Sequence, residues 1–190
     1  LAADARNAEA VARIYAAKGR PDFNPLIVHV PDLAAAETLG VFGAVERALA
    51  ARFWPGPLTL VVPRTADCPV ASIATAGLDT IAIRVPGHRA MQALLAESGA
   101  PLAAPSANAS GRVSPTKASH VLASLDGRIA LVIDDGPTTA GVESTIARVK
   151  DGAVEILRPG PVTADMLAAA SGMAVTGVKG SEIVAPGMLA

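Results

Sequence analysis

Apolar residues along the chain alternate between helical spacing and short apolar runs typical of buried strands. Val45, Leu49 and Phe53, for example, recur every four residues and stop at a Trp-Pro-Gly-Pro segment that cannot continue a helix. The pattern predicts helices over 8–18, 41–53, 89–97, 117–125 and 163–170. It predicts strands over 26–30, 58–62, 80–85, 102–104, 129–133, 142–149 and 154–157.

These helices and strands follow one another in irregular order. Such an order predicts an α/β (α+β) domain with a twisted mixed sheet rather than a regular doubly wound fold. Residues 1–171 are assigned to this domain, and the Gly-, Pro- and Lys-containing segment 172–190 to the start of a linker. Because the chain begins at Leu1 and stops without a helix end signal, we expect it to lie within a longer protein.

Composition and charge argue against several classes of protein. Apolar residues make up 51% of the 190-residue chain and charged residues 17%, which argues against a disordered chain. Charges or Pro and Gly interrupt every apolar run, so no membrane span is predicted. The net charge of −1 argues against a protein that mainly coats nucleic acid. The single cysteine, Cys68, fits a reducing cytoplasmic compartment, and no metal-ligand spacing is present.

The first candidate site is the segment 18–25. Lys18 and Arg20 flank a glycine, and Asn24 follows in a turn before a buried strand. Cations on a rigid turn suit a polyphosphate. The alternative is a solvated helix C-terminus, where the helix dipole also favours Lys and Arg.

The second candidate is the polar loop 104–116, which carries Ser106, Asn108 and Ser114 between a short strand and a helix. Hydroxyls and backbone N–H groups there can bind an anion. An ordinary turn with a helix cap at Ser114 or Thr116 explains the same composition.

Single polar residues inside apolar strands form the third group. Arg84 lies in the run 80–85 and is costly there unless an anion pairs with it, such as a carboxylate or phosphate ligand. An edge strand or an internal acidic partner would also accommodate it. His29 is either a core residue with its hydrogen bonds satisfied or a residue that contacts a ligand. Segment 141–146, together with Arg158, is a further candidate.

Taken together, the ordered motifs resemble the YrdC-like family. The matching segments are 18–21, 24–29, 53–60, 80–86, 104–108, 114–116, 144–145 and 158–160. The resemblance implies a YrdC-like sheet with flanking helices around a concave ligand groove. It also implies formation of threonylcarbamoyl-AMP, an activated intermediate for tRNA modification, from L-threonine, bicarbonate and ATP.

Residue roles follow from the same resemblance. ATP is expected to contact the residues Lys18, Arg20, Asn24, Thr80, Ser106, Asn108, Ser114 and Arg158, with Lys18 and Arg20 acting in catalysis. Threonine is expected to contact His29, Arg84, Ala104 and Ser144. Mg²⁺ is expected to be held mainly through the ATP phosphates rather than by a protein metal site.

The resemblance further implies a downstream tRNA-modifying transferase complex as partner, a weak contact with tRNA, and no membrane association. A family threonine that helps to bind the amino acid would precede Leu1, and a tyrosine-bearing stretch would follow the linker. Two alternatives stay open at this point. One is a non-catalytic RNA-binding module, and the other is a carbamoyl-adenylate module of a hydrogenase-maturation enzyme.

Overall fold

The structure is a computed structural model that describes residues 1–138, 141–177 and Ala185. Eight strands form one mixed sheet in the order β1-β5-β2-β4-β3-β6-β7-β8. The strands are β1 (Ala3–Asp4), β2 (Ile27–His29), β3 (Leu58–Pro63), β4 (Thr80–Arg84), β5 (Leu102–Ala103), β6 (Thr145–Lys150), β7 (Ala153–Arg158) and β8 (Val175–Gly177). The prediction of an α/β domain with a mixed sheet is therefore confirmed.

In the part of the chain that the structure describes, six α-helices flank the sheet, together with a short 3₁₀ helix at Ser72–Thr75. Asn7 and Thr163 cap two of the helices by accepting hydrogen bonds from backbone N–H groups, as their residue types favour. Gly19 ends the first helix in the left-handed conformation, with φ 59°. The helices are α1 (Ala8–Lys18), α2 (Leu33–Leu39), α3 (Ala44–Phe53), α4 (Arg89–Ser98), α5 (Ala118–Leu125) and α6 (Ala164–Ser171).

The two faces of the sheet differ in what covers them. On one face, side chains such as Leu60 and Ile83 pack with residues of α1, α2, α3 and α6 into the main hydrophobic core. On the other face, a second and smaller cluster consists of Ile27, Val61, Ala82, Ile146, Leu157 and Ala185. Because side chains alternate along a strand, the polar residues two positions from these apolar ones also point to this second face.

Two pairings set the positions of polar residues on the second face. β2 and β4 run parallel, with His29 opposite Arg84. The register between β6 and β7 shifts so that both Leu157 and Arg158 lie against Ile146, while Ile156 pairs with Ala147. The extra residue of this bulge lets an apolar side chain and a cation, adjacent in sequence, serve the same face.

One predicted strand is wrong. Residues 129–133 form no strand, and Leu131 and Ile133 are 76% and 60% exposed. The apolar run finds no neighbouring strand to supply a ladder of hydrogen bonds. Instead, the irregular segment is held by an ion pair between Asp135 and Arg89 and by a bond from Thr138 N to Thr116 O at 3.0 Å.

Other boundaries also differ from the predictions. The predicted helix 41–53 begins at Ala44, because Gly40 is extended and pairs with Arg64, while α2 precedes it as a separate helix. The hairpin strand predicted from residue 142 begins at Thr145. The sequence reasoning missed β1, the 3₁₀ helix and β8.

β8 lies within the segment 172–190 that was predicted to be a linker, and it pairs in parallel with β7. Residues 178–184 and 186–190 of that segment lie outside the described residues. The assignment of that remainder to a linker stays a prediction, as does the domain boundary at residue 171.

Candidate functional site

Arg84 lies at the end of an interior strand, between β2 and β3, so the edge-strand alternative is wrong. Its Nε donates to the carbonyl oxygen of Gly56 at 2.9 Å. Burial, and then the charge of Arg158, lower the pKa of Arg84. Among the described residues no carboxylate pairs with this guanidinium, so an internal acidic partner does not account for it either.

Arg158 is held against the segment before β6. Its Nε and Nη2 donate to the carbonyl oxygen of Ser144 at 3.1 and 2.9 Å, and Nη2 also lies 3.1 Å from Ser144 Oγ. Nη1 pairs with Glu143 Oε2 at 2.5 Å. Gly160 allows this approach, because a Cβ there would lie 2.4 Å from the backbone N of Thr145.

Glu143 links this cluster to the polar loop. Its Oε1 accepts a hydrogen bond from Ser114 Oγ at 2.9 Å, while its Oε2 accepts from Arg158. A helix cap was one alternative for Ser114, but the hydroxyl instead contacts a carboxylate far along the chain. The loop 104–116 and segment 143–145 therefore meet at one place.

Lys18 connects the same loop to the end of α1. The side chain is only 2% exposed, and Nζ donates to the carbonyl oxygens of Ser106 and Asn108, each at 2.5 Å. In return, Ser110 N donates to Lys18 O at 2.8 Å. The solvated-terminus alternative is therefore wrong for Lys18. Burial, followed by repulsion from Arg20, lowers the pKa of Lys18 to about 8.

Arg20 and Asn24 form a rigid turn before β2. Arg20 Nη2 donates to Asn24 Oδ1 at 2.6 Å and to Pro25 O at 2.9 Å, and its Nε donates to Asn24 O at 3.2 Å. The Tyr15 hydroxyl stabilises the same turn by donating to Asn24 O at 3.0 Å. All these partners are neutral, so the guanidinium charge is not cancelled by any of them.

The electrostatic couplings show that the cations share one region. The charge of Arg20 lowers the pKa of Lys18, and the charge of Arg158 lowers the pKa values of both Arg20 and Arg84. Burial is the largest cause that lowers the pKa values of Lys18, Arg20 and Arg158, and the carboxylate of Glu143 offsets part of that lowering. Within this cluster of described residues, four cations face the carboxylate of Glu143, and the excess of positive charge favours an anionic ligand.

Two buried polar atoms at the site have no hydrogen-bond partner in the described residues. They are His29 Nδ1 and Asn108 Oδ1, in side chains that are 5% exposed. Burial, and then the charge of Arg84, lower the pKa of His29 to about 3, so the imidazole is neutral near pH 7. Unpaired buried polar atoms are costly, and such atoms beside a cationic cluster suit contacts with a ligand.

The remaining predicted site residues lie along the same strands. Ala104 follows β5, and its N–H donates to Ile27 O at 3.0 Å. Thr80 begins β4, four residues before Arg84 and therefore roughly 13 Å away from it along the strand. Thr80 lies toward the turn before β2 and makes no side-chain hydrogen bond with the cations of the described residues. Its nucleotide role stays a prediction.

Sequence reasoning missed residues that shape the site. Thr59 and Gly56 lie within the segment 53–60, which bears on function in the sequence analysis only through its family resemblance, and Glu143 lies within segment 141–146, to which no individual residue role is assigned there apart from that of Ser144. A threonine between apolar strand neighbours gives the same signal that identified Arg84, a polar residue in a buried run. Applied to Thr59, that rule would have found it.

The described residues contain no group of three or more His, Cys, Asp or Glu side chains suited to a metal ion. Likewise, none of their helices has both the length and the apolar character needed to cross a membrane.

Comparisons with known proteins match the chain to one family and its fold. The family model Sua5/YciO/YrdC, described as telomere recombination, matches residues 1–160. The chain is 51% identical over 173 residues to a threonylcarbamoyl-AMP synthase of Bacillus subtilis, covering 90% of this chain and 50% of the relative. It is 47% identical over 161 residues to one of Pyrococcus abyssi, covering 84% and 47% respectively.

A crystal structure of Pyrococcus abyssi Sua5 complexed with L-threonine also resembles the chain. The TM-score is 0.92 at 41% identity, and the match covers 100% of this chain and 57% of that one. The chain thus spans about half the length of the curated relatives that it matches.

The uncompensated charge of Arg84 generates a stability prediction. Replacing it by Met removes a buried cation that has no acidic partner, at the loss of one hydrogen bond to Gly56 O. We expect the free energy of unfolding of Arg84→Met in urea to stay within about 1 kcal/mol of the wild type or to rise. Arg64→Met is the control, because Arg64 also donates to carbonyl oxygens, those of Cys68 and Val70, and is not one of the clustered cations. A loss of more than about 3 kcal/mol at Arg84 alone would mean that its charge is already balanced.

Proposed function

The chain belongs to the Sua5/YciO/YrdC family, and we propose that it forms threonylcarbamoyl-AMP and pyrophosphate from L-threonine, bicarbonate and ATP. The observation that carries the proposal is that hydrogen bonds and strand pairing bring Lys18, Arg20, Arg84 and Arg158 into one region. Among the described residues, Glu143 is the one carboxylate that forms an ion pair with any of them. A triphosphate and an amino-acid carboxylate together supply the anions that such a region requires. The names of the curated relatives support the same reaction.

The triphosphate is assigned to the end of the site formed by Lys18, Arg20 and Arg158. Neutral hydrogen-bond partners hold Lys18 and Arg20 without cancelling their charge. Arg158 is held by Ser144 and is also paired with Glu143, so all three cations are in place before phosphates arrive. The polar residues proposed to contact the nucleotide are Asn24, Thr80, Ser106, Asn108 and Ser114.

Threonine is assigned to the Arg84 end. The Arg84 guanidinium binds the substrate carboxylate, since among the described residues only its Nε has a hydrogen-bond partner. His29 stays neutral and offers Nδ1, which has no partner among the described residues, to a polar group of the amino acid. Ser144 and the backbone at Ala104 complete this end.

The chemistry needs positioning and charge stabilisation rather than a protein nucleophile. The threonine amine attacks the carbon of bicarbonate, and loss of water gives a carbamate. A carbamate oxygen then attacks the α-phosphorus of ATP, and the bond to the β-phosphate oxygen breaks to release pyrophosphate. Fixed cations lower the barrier by stabilising negative charge on the transferring phosphorus and the leaving group.

Mg²⁺ is proposed to arrive with ATP. Glu143 is the carboxylate next to the described cations, and it already accepts hydrogen bonds from Arg158 and Ser114. Such a donor set suits a Mg²⁺ ion that keeps phosphate and water ligands rather than a dedicated protein cage. When bound, the ion supplies further charge neutralisation of the phosphates.

The setting of the reaction is also proposed from the family. We place it in the cytoplasm, with a tRNA-modifying transferase complex consuming the product and at most a weak direct contact with tRNA. A role as a simple RNA-binding module is less well supported, because the clustered cations are buried or half-buried rather than spread over an exposed surface.

The substrate requirements test the proposal. With ATP, Mg²⁺ and bicarbonate present, we expect pyrophosphate release that depends on L-threonine and on bicarbonate together. Serine should be poorer by about 1–3 kcal/mol in transition-state free energy, because a fitted pocket loses a methyl contact. The measurement is a coupled pyrophosphate assay with each amino acid in turn. Release that needs carbamoyl phosphate instead of bicarbonate and threonine would favour the hydrogenase-maturation activity.

The pKa of Lys18 predicts how ATP affinity depends on pH. Lys18 is protonated below about pH 8 in the free protein and loses its charge above it. ATP affinity should therefore fall as the pH rises from about 8 to 10, by roughly tenfold or more, since a hydrogen bond to a charged group is lost.

Lys18→Met is the matched variant for that titration, measured by calorimetry at each pH. It should bind ATP weakly at pH 7 and show no comparable fall, because the titrating amine is gone. An equal fall in Lys18→Met and the wild type would assign the pH dependence to another group.

A further inference from the structure

Two hydroxyls on the second face of the sheet form a buried pair. Thr59 is fully buried and Ser144 is 3% exposed, and their Oγ atoms lie 2.8 Å apart. They are 85 residues apart in sequence and meet because β3 and β6 pair in parallel, with Leu58 opposite Thr145.

Counting donors and acceptors shows that the two hydroxyls have two protons to donate, but that the described residues supply an acceptor for one of them. Each hydroxyl has one proton, and the neighbouring Arg158 Nη2, 3.1 Å from Ser144 Oγ, can only donate. One proton serves the hydrogen bond between the two hydroxyls. Among the described residues no protein acceptor takes the other proton.

The geometry determines which of the two hydroxyls has its proton available for a ligand. Thr59 makes no other side-chain hydrogen bond among the described residues and is enclosed in β3, so its proton has only Ser144 as acceptor. With Thr59 and Arg158 both donating to it, Ser144 Oγ must direct its own proton elsewhere. Thr59 also neighbours the threonine end of the site, since Val61, two residues on, pairs with Ala82, two residues before Arg84.

We propose that Thr59 is a positioning residue that orients the Ser144 hydroxyl, so that Ser144 donates its proton to an oxygen of the carboxylate or carbamate bound beside Arg84. The inference rests on the proposed function, because it takes threonine as the ligand at this end. Arg84 would balance the negative charge of the bound group, and Ser144 would fix its orientation.

A purely structural role gives a different expectation. The neighbours Leu58, Leu60 and Val61 show that this stretch of β3 is built from apolar side chains. Valine has nearly the shape of threonine, so packing alone would be satisfied by Thr59→Val. A buried hydroxyl is costly unless it is hydrogen-bonded, and for Thr59 the Ser144 hydroxyl is the one side-chain partner among the described residues.

The test measures dissociation constants for L-threonine and for ATP separately by calorimetry. Thr59→Val should weaken threonine binding about 3- to 10-fold, the loss expected for one neutral hydrogen bond, and leave ATP binding within about twofold. Thr59→Ser should restore threonine affinity, because it keeps the hydroxyl. Thr75→Val is the control, since Thr75 is equally buried but bonds only to Ser72 O in the 3₁₀ helix.

A double-mutant cycle separates positioning from packing. Because Thr59 acts through Ser144, Thr59→Val should add nothing to the loss caused by Ser144→Ala. Thr59→Ala, which removes the same hydroxyl with different packing, gives a second reading should Thr59→Val fold poorly. Unchanged threonine affinity in both Thr59→Val and Thr59→Ala would overturn the proposal. Fully additive losses of Thr59→Val and Ser144→Ala would also overturn it. Absence of threonine binding by the wild type would instead refute the proposed function.

Discussion

The structure depends on holding several cations close together with little opposing charge. Burial lowers the pKa values of both Arg84 and Arg158, and the charge of Arg158 lowers that of Arg84 further. Lys18 and Arg20 lie in the same cluster, and their pKa values are also lowered, chiefly by burial. Taking such groups out of water is unfavourable unless anions replace the lost hydration. A site arranged in this way lacks part of its stabilisation until a ligand with several negative charges is bound.

Backbone carbonyl oxygens reduce the free-energy cost of burying these cations. Gly56 accepts from Arg84, Ser144 from Arg158, and Ser106 and Asn108 from Lys18. Carbonyl dipoles fix the direction of each side chain, and among the described residues only Arg158 of these three cations also pairs with a carboxylate, that of Glu143. The mixed sheet supplies the geometry, because parallel pairing of β2 with β4 and of β3 with β6 brings distant segments to one face.

Sequence reasoning identified the family, the sheet class and the polar segments, because these depend on local pattern and on ordered motifs. It failed where partners decide the outcome. Residues 129–133 have the composition of a strand but no neighbour to pair with, and β8 forms from an unremarkable segment because β7 offers it an edge. Within the site, sequence could not show that Lys18 is buried under the loop 104–116, or that Thr59 meets Ser144, since both depend on contacts over 85 or more residues.

The division of the site into a carboxylate end and a phosphate end is the central claim, and paired calorimetric titrations of Arg84→Met and Arg158→Met test it most directly. Loss of a charge-assisted hydrogen bond corresponds to about 10- to 100-fold in affinity. The account predicts that Arg84→Met weakens threonine binding by this amount with ATP binding within about threefold, and that Arg158→Met shows the reverse preference. Equal losses of both ligands in both variants would contradict it.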